Sequence, residues 1–380
     1  MRCLPAVVIV RWTWHHHPFV VTPREEIVVM GVESLPCLTA DLPGIGGVLK
    51  QTPDDFVVTE IPLYSPSGEG EHLYVRIERE GWTTGALSDA LARLLGISRA
   101  AVGVAGLKDR HARVTQTFSL HLPRSAAEHV VARIEGALAV RVTSAAWHTN
   151  KLKRGHLLGN HFQIRVVGTA PEALPRAEAI ARRIQARGLP NYFGSQRFGS
   201  RGDNAARGRE ILMEGERGRY RLRDLLLSAW QSECFNRWLA QRIEREAFLQ
   251  VFEGDVAKKH ETGGIFTVTD AAEAQARFLA GEISYTGPLF GYKMRPATGK
   301  PGEIETHLLS EEGISPQMLR KARLPGSRRA ARLLVANLTF RPIPQGLEFS
   351  FTLPKGAYAT VVLREFMKNE GSKGNLDDED

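Results

Sequence analysis

The sequence predicts an α/β (α+β) fold, and three observations carry that prediction. Several stretches alternate apolar and polar residues at period two, such as Leu73, Val75 and Ile77 against Tyr74, Arg76 and Glu78. Others place apolar residues on one helical face, such as Leu87, Leu91, Leu94 and Leu95. The two kinds interleave along a chain of 380 residues, long enough for two domains and more than one hydrophobic core.

Each element has a local reason. Residues 73–78 form a half-buried strand, and the helix over 84–95 is stopped by Gly96. A short apolar run (Val102, Val104, Ala105) ends in Gly106, and a second strand follows over 115–122, where Phe118, Leu120 and Leu122 alternate with Ser119 and His121. Phe162, Ile164 and Val166 alternate with Gln163, Arg165 and Val167, giving a strand directly after Asn160. A basic helix over 176–187 ends at Gly188, with Pro190 just beyond. From residue 191 to about 221 the texture turns rich in Gly, Arg and Asn. A helix over 225–246 then carries the stripe Leu227, Trp230, Cys234, Trp238 and Ile243, which assigns both tryptophans to a core and not to stacking on a ligand. The last strand alternates Leu347, Phe349, Phe351 and Leu353 with Glu348, Ser350 and Thr352, and a helix over 357–368 closes the pattern.

Charge and cysteines narrow the class. A net charge of +8 and a pI near 9.5 suit a polyanionic partner, although basic character alone does not single out nucleic acid. Three widely spaced cysteines (Cys3, Cys37, Cys234) have no metal-ligand pattern and point to a reduced, cytoplasmic setting without disulfides. The only long apolar run near the start, residues 4–10, is cut by Arg11 and is too short to span a bilayer, so no membrane association is expected. His15, His16 and His17 lack carboxylate or cysteine partners, and no metal site is read from them. Residues 1–37 read as an extension outside the fold, with Met30 as an alternative start. The acidic stretch 371–380 reads as a disordered tail.

The most informative stretch is GLKDRHARVTQ, residues 106–116. It sets Asp109 between two strands, flanked by Lys108 and Arg110. Alone, a Lys-Asp-Arg would be read as an ordinary turn. Three further segments change the weighting: LKQTPDDFVVTE (49–60), LLGNHFQIRV (157–166) and NYFGSQRFG (191–199). With LSAWQSECFN (227–236), FEGD (252–255) and LPKGAYATVVLREFM (353–367), in this order, the sequence closely resembles the TruD family of pseudouridine synthases from about residue 46 to about residue 368.

The resemblance implies a pseudouridine-synthase catalytic domain with a mixed, largely antiparallel sheet flanked by helices, made of residues 38–187 and 334–370. An inserted α/β TRUD domain, 188–333, interrupts it. It also implies a transfer RNA substrate, isomerisation of uridine 13 to pseudouridine, and Asp109 as the nucleophile. Pseudouridine formation breaks the C1′–N1 bond, turns the uracil and joins C1′ to C5, so neither redox change nor cofactor is expected. The base must first leave its stack. Whether Asp109 attacks C1′ or opens a glycal route is left open. The competing class is a non-catalytic RNA-binding protein or RNA chaperone of the same fold, for which a retained Asp109 has no use. No obligate protein partner is expected.

The resemblance also implies substrate contacts at Phe56, Asn160, Phe162 and Tyr358, with Tyr358 standing where the family usually has Phe. An aromatic can stack on an extruded base, and an amide can meet a uracil edge. On the residues alone, Phe56 in its apolar run reads as core and Asn160 as a strand-entry residue. Lys50 is read evenly as a basic neighbour that favours the charged form of Asp109 or as an exposed lysine before a turn. Lys151, Lys153 and Arg154, then Arg182 and Arg183, then Arg197, are candidate phosphate contacts, against the alternative of solvated charge. Tyr192, Phe193 and Phe198 read as packed at a domain junction, and His111 as incidental.

Overall fold

The computed structural model describes residues 34–49, 52–126, 129–215 and 220–369. Lys50, the histidine triplet, Cys3 and the acidic tail lie outside the described residues. A mixed sheet of nine strands dominates the first part of the chain. Its central path uses β2 (Phe56–Pro62), β3 (His72–Arg79), β5 (Arg113–His121), β6 (Val140–His148) and β7 (Leu157–Thr169). Two late strands, β14 (Ala336–Ile343) and β15 (Gly346–Pro354), complete it in the order β14-β15-β7-β2-β5-β3-β6. Two short strands, β1 (Gly46–Leu49) and β4 (Val102–Val104), add to β7 and β5. Only β2 and β5 run parallel within this sheet, so it is mixed and largely antiparallel, as expected.

One face of the sheet is covered by helices, because the apolar positions of each strand fall on that side. Near β3 and β5 the cover is α1 (Thr84–Leu95) and α2 (Val130–Ala137), packed on Val75, Ile77, Phe118 and Leu120. Near β7 and β15 it is α3 (Ala173–Arg187) and α9 (Ala359–Met367), packed on Ile164, Val166, Phe349 and Phe351. The Thr83 hydroxyl caps α1 by accepting from the Ala86 N–H, and Gly96 ends it at φ 67°.

Between α3 and β14 the chain leaves the large sheet. After β8 (Leu189–Pro190), α4 (Asn204–Glu214) and α5 (Tyr220–Glu244) pack together. A four-stranded sheet follows, built from β9 (Val256–Lys259), β10 (Ile265–Thr267), β11 (Ile283–Leu289) and β12 (Ser327–Ala330) in the order β10-β9-β11-β12. Helices α6 (Ala271–Leu279), α7 (Gly299–Glu311) and α8 (Pro316–Lys321) complete it, and β13 (Arg332–Leu333) pairs with β8 at the return. Trp230 and Trp238 on α5 are buried in this second core, as their helical stripe predicts. Tyr192, Phe193 and Phe198 belong to the same core.

The expected boundary at residue 37 needs correction. Leu35 is buried in the second core, its carbonyl accepts from Arg364, and the Pro36 carbonyl accepts from the Tyr192 hydroxyl. The N–H groups of Leu38 and Thr39 donate to the Glu365 carboxylate at 2.8 and 3.1 Å, and the Thr39 hydroxyl adds a bond of 2.7 Å. A charged acceptor of this kind contributes about 1.5–3 kcal/mol per bond. Residues 34–37 are therefore packed chain, and their short apolar content gave no periodicity to reveal it.

Candidate active site

Asp109 lies in the loop from β4 to β5, and its position is set from below by polar side chains where apolar ones would be expected. Along β3 the inward series Leu73, Val75, Ile77 ends in Arg79, and along β5 the series Val114, Phe118, Leu120 is interrupted by Gln116. Both are buried, as is Thr84 at the start of α1. Arg79 Nη2 donates to Thr84 Oγ1 at 3.2 Å and to Gln116 Oε1 at 3.5 Å. Thr84 Oγ1 in turn accepts from the Lys108 N–H at 2.9 Å, and Gln116 Nε2 donates to the Gly106 carbonyl at 2.7 Å. Arg79 Nη1 reaches the carbonyls of Trp82 and, at 3.4 Å, of Asp109.

The loop from Gly106 to Asp109 is thus held by three buried donors and acceptors. Burial lowers the Arg79 pKa to about 10, and the Asp109 charge acts in the opposite direction. Lys50, considered as a cation beside the carboxylate, lies outside the described residues.

The carboxylate of Asp109 is itself oriented. Oδ1 accepts from the His111 N–H at 3.1 Å, a local turn contact, and Oδ2 stands 3.4 Å from Gln196 Nε2. Gln196 belongs to NYFGSQRFG, whose Tyr192, Phe193 and Phe198 the sequence placed at a domain junction. His111 contributes this backbone contact while its side chain is exposed.

Beside Asp109, Lys108 Nζ forms an ion pair of 2.6 Å with Glu60 Oε2, both side chains nearly inaccessible at 5% and 1%. Glu60 continues the inward series Phe56, Val58 on β2 and also accepts from the Thr117 N–H at 3.3 Å. Such a pair is stable only because both partners are present.

Asn160 on β7 pairs in register with Glu60 on one side and Leu353 on the other. Its Oδ1 is buried without a hydrogen-bond partner among the described residues, an acceptor that a ligand could satisfy. Gly159 before it could not carry a side chain, since a Cβ would lie 2.1 Å from the Leu353 carbonyl oxygen. Phe56 and Phe162 are buried and meet edge to face at 6.3 Å, and Phe162 also stacks on Phe351 at 5.6 Å. That agrees with the core alternative weighed for Phe56.

Tyr358 precedes α9 and packs edge-on to Phe193 at 6.0 Å. Gly194 lets the two segments touch, since a Cβ there would fall 3.0 Å from the Tyr358 ring. Burial raises the Tyr358 pKa, opposed by the positive charges of Arg197 and Arg329.

The basic clusters divide. Lys151 and Lys153 line a groove of about 510 Å³ with Tyr64, His72, His148 and His156, while the Lys151 ammonium also donates to the Ala100 carbonyl. Arg154 and Arg182 are exposed. Arg183 is paired with Asp41, so its charge is already answered. Arg197 is held by the hydroxyls of Ser232 and Ser228 at 3.1 and 2.5 Å.

Sequence reasoning missed Arg79, Gln116, Gln196 and Arg329. A signal existed for the first two, a polar residue in the apolar register of a strand. For Gln196 and Arg329 there was none, because their contacts span the two halves of the molecule.

The oriented Asp109 carboxylate, the Lys108–Glu60 ion pair next to it in the chain and, in register with Glu60, the unsatisfied Oδ1 of Asn160 define a carboxylate-centred site suited to a polar ligand. The family model "tRNA pseudouridine synthase D (TruD)" matches residues 34–221 and 216–366, and the chain belongs to this family. It is 44% identical over 344 residues to tRNA pseudouridine synthase D of Thermus thermophilus, covering 90% of this chain and 95% of that protein. It is 46% identical over 344 residues to the protein of that name from Anaeromyxobacter dehalogenans, covering 88% and 96%. A crystal structure from Methanosarcina mazei, provisionally described as tRNA pseudouridine synthase D, superposes with a TM-score of 0.71 at 26% identity, covering 89% of this chain and 97% of that one. Among the described residues no helix is long and apolar enough to cross a membrane.

Proposed function

We propose that this chain is a cytoplasmic enzyme that isomerises uridine 13 of transfer RNA to pseudouridine, with Asp109 as its nucleophile and no cofactor. The observation that carries the proposal is the pairing of an oriented Asp109 carboxylate with the unpartnered Oδ1 of Asn160, linked through Lys108 and Glu60. A uracil offers its N3–H to such an acceptor while C1′ faces the carboxylate.

The order of events follows from these groups. The target nucleotide leaves its stack and meets the apolar ring of Tyr358, with Phe56 and Phe162 packed behind the site as its support. Asp109 attacks C1′ and the C1′–N1 bond breaks, leaving its electron pair on the uracil. The detached ring, held through Asn160, turns to present C5, which bonds to C1′ as the carboxylate departs. Loss of the C5 proton, with protonation at N1, restores the aromatic ring. Residues 188–333 would act as the inserted domain that closes the cleft, carrying Gln196 and the arginines toward Asp109. Lys151, Lys153, Arg154 and Arg182 would lie along the path of the RNA backbone.

Support for RNA as the ligand comes from the family and from the basic charge. The test is incubation of the purified chain with transfer RNA transcripts and mapping of pseudouridine by chemical labelling. A new pseudouridine at position 13, absent when that position is cytidine, is the expected result. Labelling at a different position overturns the assignment to uridine 13, and no labelling overturns the enzymatic reading.

A further inference from the structure

Two guanidinium groups stand at the junction of the two cores without a negative partner among the described residues. Arg329, on β12, donates through Nε to the Asn191 carbonyl at 2.9 Å and through Nη2 to Asn191 Oδ1 at 2.7 Å and the Gly356 carbonyl at 2.9 Å. Arg197 donates to the hydroxyls of Ser232 and Ser228. Every one of these acceptors is neutral, and neither arginine pairs with a carboxylate of the described residues. Nη1 of each makes no hydrogen bond to the protein among the described residues.

Three other arginines of the second core are paired with carboxylates, while buried Arg332 donates to the Phe278 and Ile283 carbonyls and lies over the Phe278 ring. Arg242 has Asp255 at 2.8 Å, Arg328 has Glu305 at 2.7 Å, and Arg237 has Glu311 and Glu312. A cation withdrawn from water is costly unless an anion answers it. Arg197 and Arg329 differ from Arg332 in standing together over one ring, where a single external anion would answer both charges.

The place fits one. Both guanidiniums lie over the ring of Phe193, Arg197 at 5.9 Å and Arg329 at 4.0 Å from its centroid, and that ring packs against Tyr358. Arg197 follows Gln196, which reaches the Asp109 carboxylate. The two positive charges act on each other and on Tyr358. Burial brings the Arg329 pKa down to about 10, and the charge of Arg197 pushes it the same way. An anion bound between them would relieve both effects. Guanidinium groups match the oxygens of a phosphate in geometry as well as charge.

We propose that Arg197 and Arg329 form a subsite for one phosphodiester group of the RNA, adjacent to the nucleotide whose base enters the Asp109 cleft. The subsite rests on the RNA reading above and adds to it a fixed point for the backbone. With the phosphate anchored over Phe193 and the base turned toward Asn160, the sugar between them would present C1′ to Asp109.

The test compares the wild-type chain with Arg197→Gln and Arg329→Gln in binding to transfer RNA over a range of salt. A second RNA carries neutral methylphosphonates on both sides of the target uridine. Each variant is expected to bind about tenfold more weakly and to lower the slope of log K against log salt by about 0.7–0.9. The methylphosphonate RNA should weaken wild-type binding by at least a similar factor and cost Arg197→Gln clearly less, because one of the two contacts to that phosphate is already gone. An unchanged salt slope in a natively melting Arg197→Gln, or a full methylphosphonate penalty in that variant, overturns the proposal. Should Arg329→Gln fail to fold through loss of its ties to Asn191 and Gly356, the Arg197→Gln and methylphosphonate arms decide alone. A wild-type chain that makes no pseudouridine but shows these slope differences sinks the enzymatic reading and leaves the anion subsite standing.

Discussion

Gln196 Nε2 stands 3.4 Å from Asp109 Oδ2, so a residue just past the exit from the large sheet reaches back to the carboxylate at its centre. The contact joins the two cores at the point where chemistry is proposed. Replacing Gln196 by Ala removes one neutral donor from an exposed position, so melting should be unchanged. Turnover should fall by about three- to tenfold, the size of one net hydrogen bond. Single-turnover rates on transfer RNA check this, and an unchanged rate would mean that the contact does not orient Asp109.

Asp109→Asn is expected to abolish isomerisation while RNA binding and its salt dependence persist. The amide keeps the shape of the side chain and loses the nucleophile, and phosphate contacts made elsewhere supply the affinity. Turnover within about tenfold of wild type, a barrier change of only about 1.4 kcal/mol, would remove Asp109 from the role of nucleophile.

Thr84→Val tests the support beneath the loop. The variant keeps the volume and deletes the hydroxyl that accepts from the Lys108 N–H and from Arg79. A buried donor left unsatisfied costs about 1–3 kcal/mol, and denaturant unfolding should register that loss. Activity measured well below the melting temperature should also drop, because the loop that carries Asp109 loses its anchor. A fully active, equally stable variant would show that Gln116 and Arg79 hold the loop without Thr84.

The second core contains a group expected to titrate near neutrality. Glu233 on α5 has its pKa pushed from 4.5 to about 7, first by burial, then by the negative charge of Glu312, with Arg237 opposing. Between about pH 4.5 and 7 the folded state therefore binds more protons than the unfolded chain, so this group makes stability fall as pH rises through that window and level off above it. Glu233→Gln should remove that fall and be more stable than wild type at about pH 8, by on the order of 2 kcal/mol, with little difference near about pH 4. Equal stability of the two proteins at the higher pH would refute the shifted titration.

Much of the large sheet and its helices was legible in the sequence because period-two and helical stripes coincide with burial. The helix predicted over 84–95 is α1, and the strand predicted over 347–353 lies within β15. Asp109, Asn160 and Tyr358 came from motif resemblance, and a lone Asn before a strand carries no physical signal of an orphaned acceptor. Glu60, Arg79 and Gln116 could have been read as a group. Each breaks an apolar alternation in adjoining strands, and buried polar residues in such positions are tolerated only if each finds a partner, as Arg79 and Gln116 do in one another and Glu60 does in Lys108. The pairing of β15 with β7, nearly two hundred residues apart, was beyond periodicity, which says that a strand exists and not where it docks.

That pairing has a consequence for how the protein comes into being. β15 runs beside β7 from Gly346↔Val167 to Pro354↔Gly159, with Asn160 opposite Leu353. During synthesis, β7 emerges long before its neighbour and must wait with one edge of hydrogen-bonding groups open while the whole second core is made. The strand that lies against Asn160, and the Tyr358 segment after it, are the last to be assembled. A chain cut short between the end of β7 and residue 346 would keep Asp109 and still lack β15, so such products should be inert and prone to self-association at the bare edge of β7.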